Sequence, residues 1–191
     1  KLSAQGIAFI KASEGLSLTA YPDGKNADGS QKYSIGYGHS GAQQGQVIPR
    51  AQADALFLSD IAKHETAVSS AVSYASPRQF DALVSFSYNV GTAGMQNSTA
   101  VRLHNAGNAP GAADALRLWN KSDGAVNPVL VRRREKERSL YLYGDPNFGT
   151  GQGPLVEPSN DHALLWAAAV VAVTYFALPK VPAGRRLLAF G

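Results

Sequence analysis

The chain has 191 residues, 45% of them hydrophobic and 17% charged, a balance that excludes wholesale disorder and allows one sizeable core or two small lobes. Its net charge of +4 and pI near 9.4 suit an anionic partner, with nucleic acid, acidic membrane and anionic wall polymers all open on charge alone. The absence of cysteine excludes disulfides and thiolate metal sites, and a first residue of Lys rather than Met reads as trimming or processing, which leaves a removed targeting segment open.

Residues 3–14 read as a short helix. Ser3 is an N-cap, Ala4, Ile7, Ile10 and Glu14 lie on one stripe, and Gly15 is the stop. Glu14 therefore ends the helix on its apolar face, where partial burial and the negative end of the helix dipole both act against a charge. A proton donor needs such a setting, although a capping or salt-bridging glutamate would be placed the same way. A second carboxyl, Asp23, follows nine positions later in a turn, and two carboxyls in different environments are what glycosidic hydrolysis requires.

Residues 16–21 and 31–38 alternate as the strands of a hairpin, with Tyr33, Ile35 and Tyr37 on one face and Ser34, Gly36 and Gly38 on the other. The three small residues leave room for something to lie against that face. The turn-rich stretch from Asp23 to Gly29 superficially resembles a calcium loop, but its register fails, and no metal site is expected.

A helix is expected from Pro49 to about Val72, with Ala51, Ala55, Leu58, Ala62 and Ala67, joined by Leu56 and Ile61, as its apolar stripe and His64 solvated off it. Ser76-Pro77 opens another helix through Phe80, Leu83, Val84 and Tyr88, ending at Asn89-Val90-Gly91 and a loose 91–94. Helical segments follow at 98–106 and 110–119, then a loop after Trp119-Asn120, and a last helix from Val129 to Tyr143. Its Arg132, Arg133 and Arg134 point in three directions. Over 101–145 there are eight Lys and Arg against five Asp and Glu, so this half carries most of the net charge.

Residues 146–160 turn to Gly, Pro, Asn and Gln and read as a linker. In the 161–191 segment, Ala163 to Leu178 has Thr174 as its one clearly polar residue; as a helix it is about 24 Å long. That is short of the roughly 30 Å hydrocarbon core. Aromatic ends and a basic flank at Lys180, Arg185 and Arg186 nonetheless predict a membrane anchor with the C-terminus cytoplasmic, the rival being a helix docked on protein.

Glu14, Asp23 and the run Ser34-Ile35-Gly36-Tyr37-Gly38-His39 resemble the active-site signature of phage-type lysozymes, the endolysin muramidases of glycoside hydrolase family 24. The resemblance continues through Gln79 to Gly91, Leu118-Trp119-Asn120 and Pro128 to Glu135, in the same order over residues 1–145. It implies an α+β, mostly helical, two-lobed lysozyme-like domain: a hairpin lobe over 1–48, a connecting helix over 49–72 and a helical lobe over 73–145. It further implies Glu14 as general acid, Asp23 positioning a water that Ser34 helps to hold, and His39 and Tyr37 supporting them. Asn89 would line the cleft, and Arg132 or Arg133 would pair with Glu14. Two departures stand out: serine replaces the usual threonine at Ser34, losing a β-branched rotamer preference, and the gap from Asp23 to Ser34 is longer.

The expected reaction is hydrolysis of the β-1,4 bond between N-acetylmuramic acid and N-acetylglucosamine in bacterial peptidoglycan, inverting and without cofactor. It would take place in the host periplasm and cell wall or from a virion. The alternatives are a non-catalytic peptidoglycan-binding module and a membrane-anchored structural component among virion subunits; a nucleic-acid partner is not expected.

Overall fold

The computed structural model describes residues 1–148. Helix α1 (Ala4–Glu14) is followed by strands β1 (Ser17–Lys25), β2 (Gln31–Gly36) and β3 (His39–Ser40) and by the long helix α2 (Arg50–Ala71). Then come α3 (Pro77–Val90), α4 (Thr92–Gln96), α5 (Thr99–Asn105), α6 (Ala109–Leu116), the small hairpin β4 (Lys121–Ser122) and β5 (Ala125–Val126), and α7 (Pro128–Tyr143). The fold is mostly helical α+β with a small antiparallel sheet, as expected. The linker, and the apolar stretch from Ala163 to Leu178 with its expected anchor, lie outside the described residues. Among the described residues no helix is long and apolar enough to cross a membrane.

Local chemistry sets the helix ends. The Ser3 hydroxyl accepts from Gly6 N–H at 3.1 Å, and Gly15, at φ +73, returns its N–H to the Lys11 carbonyl. Ser76 N–H donates to Gln79 Oε1 at 2.9 Å, half of a capping box in front of Pro77. Asn127 accepts from Val129 N–H ahead of Pro128, and Gly144 closes α7 in the left-handed conformation.

Helix α3 is the centre of the molecule: every residue from Asp81 to Ser87 is buried, with α1, α2, α4 and α7 packed around it. The start of α1 is fastened to two other helices. Leu2 N–H donates to Glu65 of α2, while the Ser3 N–H and hydroxyl both donate to the buried Asp81 of α3.

Three expectations are corrected. The inner face of α2 is Ala53, Phe57, Ile61, His64, Ala67 and Val68, while Ala51, Ala55, Leu58 and Ala62 face solvent. His64 is therefore buried rather than solvated: it is 5% exposed, its Nδ1 is 2.9 Å from Ser87 Oγ, and its ring lies 5.1 Å from that of Tyr88. Burial, reinforced by Lys63, pushes its imidazole down to about 4. Residues 91–94 were expected to be loose, but 92–94 belong to the short helix α4, whose Met95 enters the core.

The strand alternation also stops sooner than expected. Gly36, at φ +66, turns the chain, and a Cβ there would lie 3.4 Å from that of Ala53. The glycine face thus packs on α2 at Gly36 instead of lying open.

Candidate active site

Glu14 reaches the site because it follows Ile10 by one turn on α1 and so shares the inward side of that helix. Its Oε1 lies 2.6 Å from Arg133 Nη1, with the Glu14 side chain 20% exposed and that of Arg133 7%. Oε1 is shut off from water, so solvent screens this ion pair little. The other oxygen, Oε2, looks toward Gly38, where φ is +92 and even a Cβ would stand 4.0 Å away. Bare backbone at Gly38 keeps that side of the carboxyl uncrowded.

Asp23 and Ser34 are brought together across the hairpin. Tyr21 pairs with Ser34 and Pro22 with Tyr33, and the register slips between Pro22 and Lys25. That irregular stretch turns Asp23 inward, and Ser34 Oγ–H donates to its Oδ2 at 2.5 Å. Lys32 Nζ stands 3.4 Å from the same oxygen. The extra hairpin length lies beyond Asp23, in a tip closed by Asn26 and Ser30 with the Asp28 carboxylate on the Ser30 N–H. Tyr21 lies in the field of both carboxyls; burial, then Asp23, then Glu14 hold its hydroxyl protonated well above the usual phenol range.

His39 and Tyr37 take supporting positions. His39 Nδ1 is 2.8 Å from Asp60 Oδ2 on α2. Tyr37 is 1% exposed and donates its hydroxyl to Asp54 Oδ1 at 3.1 Å, so it does not face a substrate. Lys11 completes that cluster, donating to Asp54 Oδ1 at 2.7 Å and sitting 5.0 Å from the centre of the Tyr37 ring. Burial raises the Asp54 carboxyl, but the Lys11 and Tyr37 hydrogen bonds outweigh it and hold the group below its ordinary value.

The three arginines separate by function. Arg132 is exposed, Arg133 meets Glu14, and Arg134 is fully buried. Glu137, also fully buried, gathers them: its Oε1 accepts from Arg133 Nε at 3.1 Å, Arg134 Nη2 at 3.0 Å and Ser85 Oγ at 2.7 Å. Asn89 is exposed at the end of α3, and its Oδ1 accepts from Arg134 Nη2 at 3.0 Å. Of the residues singled out in the sequence, Glu14 with Arg133 and Asp23 with Ser34 form direct pairs, whereas Arg132 joins neither. Lys11, Asp54, Tyr21 and Glu137 enter the site unannounced. The spacing from Arg133 to Glu137 was a usable signal for one of them, since a four-residue step stacks the two side chains on α7.

Two carboxyls held apart, one by a cation and one by a hydroxyl, suit general acid chemistry with a positioned water. The phage lysozyme family matches residues 11–137. The endolysin of Bacillus phage B103 is 42% identical over 147 residues, covering 75% of this chain and 55% of its own. That of Bacillus phage PZA is 39% identical over 149 residues, covering 76% and 57% respectively. The chain thus spans little more than half the length of these two relatives. A solved endolysin from Escherichia coli O157:H7 phage FAHEc1 is 37% identical with a TM-score of 0.67, over 75% of this chain and 94% of that one. With the match extending over most of its described residues, the chain belongs to the phage lysozyme family.

Proposed function

We propose that the protein is a peptidoglycan hydrolase that cleaves the β-1,4 bond between N-acetylmuramic acid and N-acetylglucosamine, degrading the bacterial wall in host lysis. The observation that carries this reading is the Glu14 carboxyl, anchored through Oε1 on Arg133 and uncrowded at Oε2 beside Gly38. Glu14 protonates the departing glycosidic oxygen from Oε2. Asp23, fixed by the Ser34 hydroxyl, orients a water that attacks the other face of an oxocarbenium-like sugar, giving inversion. Retention of anomeric configuration, read by NMR of the first product, would make Asp23 a nucleophile instead.

Residues 1–145 would be the catalytic unit and the apolar segment from Ala163 to Leu178 an attachment to a membrane. The exposed cations of the helical lobe, Arg102, Lys121 and Arg132, favour an anionic polymer, an attraction that salt weakens. The test is digestion of purified peptidoglycan by the full chain beside Glu14→Gln, reading new reducing ends. Release by the wild type alone supports the hydrolase. Binding without release by either protein supports a wall-binding module.

A further inference from the structure

Asn89 ends the central helix with its side chain exposed, yet its amide is not free to turn. Its Oδ1 accepts from Arg134 Nη2 at 3.0 Å, and a guanidinium has only donors to offer. The amide orientation follows from this partner, because the flipped form would set two donors against each other. The guanidinium itself cannot move aside. It is fully buried, bonded through Nη2 to Glu137 Oε1 at 3.0 Å, with its Cζ 5.2 Å from the centre of the Phe86 ring, and that ring is braced edge-on by Trp119 at 5.5 Å. Asn89 also stands one turn beyond Ser85, whose carbonyl accepts from the arginine that holds Glu14. It therefore sits on the side of α3 that faces Arg133, the arginine in contact with Glu14 of α1.

We propose that Arg134 is a positioning residue that fixes the Asn89 amide with Nδ2 toward the cleft, where it donates to an acetamido carbonyl oxygen of the glycan. The ligand class follows from the fixed orientation. A sugar hydroxyl can donate or accept and adapts to either face of an amide, so locking that amide selects nothing. A carbonyl oxygen can only accept, and a locked donor discriminates in its favour. This assignment deepens the peptidoglycan reading and rests on it.

The test uses the full 15N-labelled chain with two neutral β-1,4 oligomers, chitotetraose with acetamido groups and cellotetraose with hydroxyls in their place. For the wild type, chitotetraose shifts the Asn89 side-chain amide resonances and binds in preference to cellotetraose. Asn89→Asp keeps an oxygen for Arg134 but has no N–H, and its chitotetraose Kd rises about five- to tenfold while that for cellotetraose stays the same. Arg134→Lys keeps the charge against Glu137 but not the fork, and it lowers the same preference; if it does not fold, Asn89→Asp decides alone. An unmoved Asn89 amide, no preference in the wild type, or an equal loss for both oligomers in Asn89→Asp overturns the proposal. Selective binding without release of reducing ends from peptidoglycan would sink the hydrolase reading while leaving Asn89 in place. Digestion without an Asn89 shift would do the reverse.

Discussion

The guanidinium of Arg133 stands between two carboxylates from different helices, Nη1 at 2.6 Å from Glu14 Oε1 and Nε at 3.1 Å from Glu137 Oε1. One cation thereby fixes the Glu14 carboxyl to α7. Arg133→Gln leaves Glu137 with Arg134 as its remaining cation beside the Ser85 hydroxyl and should cost about 3 kcal/mol, the low end for breaking a buried pair. Arg133→Lys restores charge at one carboxylate but cannot bridge both, so its stability should fall in between. Urea unfolding of the three proteins orders them; a stable Arg133→Gln would mean the cluster contributes little to the fold.

Ser34 is completely buried and its hydroxyl is bonded to Asp23. Ser34→Ala should lower kcat about tenfold, the worth of one hydrogen bond to a charged group, with little change in KM. Ser34→Thr keeps the donor and should retain most of the rate. Steady-state assays on peptidoglycan separate the two, and equal rates for Ser34→Ala and the wild type would remove Ser34 from the mechanism.

His64 gives the fold a definite response to acid. Its imidazole is held at about 4 against an unfolded value near 6.5, so the folded state favours the neutral ring. The stability linked to it is complete above about pH 6.5 and falls away as the pH drops toward 4, by about 3 kcal/mol in all. His64→Gln should show a shallower loss over that window. Thermal unfolding of both proteins at intervals from pH 7 to 4 gives the difference directly, and parallel curves would assign the acid response elsewhere.

Gly6 offers a sign test. Glycine inside a helix ordinarily costs up to about 1 kcal/mol relative to alanine. Here an added Cβ would lie 2.6 Å from Asp81 Cγ and 2.8 Å from a Leu2 methyl, and Asp81 is tied to Ser3. Gly6→Ala should therefore destabilise by about 1–3 kcal/mol, lowering Tm by roughly 3–10 °C. A raised Tm in calorimetry would show that Asp81 yields.

Much of this was legible where local chemistry decides. Ser3 and Gly15 bracket α1, Ser76 and Pro77 open α3, and the step from Ile10 to Glu14 puts a carboxyl on the inward side of a helix. Helix α2 was misread because alanine fits both faces: Ala53 and Ala67 point in while Ala51, Ala55 and Ala62 point out. Phe57, Ile61, His64 and Val68 define the true stripe, and a histidine in the middle of it broke the apolar pattern. The three arginines lie about 100° apart around α7, so which one meets Glu14 depends on how that helix is rolled against α3. Asp54 finds Lys11 and Tyr37 only through the tertiary fold and leaves no short-range mark, whereas Glu137 lies three and four residues from Arg134 and Arg133 on α7 and needs the fold only to meet Ser85.

The seating of Gly36 on Ala53 reaches further than packing. Glu14 rides on a helix moored at Glu65 and Asp81, whereas Asp23 rides on the sheet, so no single element dictates the interval between the two carboxyls. That interval is dictated by how deeply the sheet settles onto α2, at a point where one more methyl group would already touch. A bulkier side chain at Ala53 would act as a shim beneath the sheet, tilting Asp23 away from Glu14 without altering either. Under the proposed inverting mechanism, the stereochemical course would become a tolerance of assembly, set at a neutral-looking alanine.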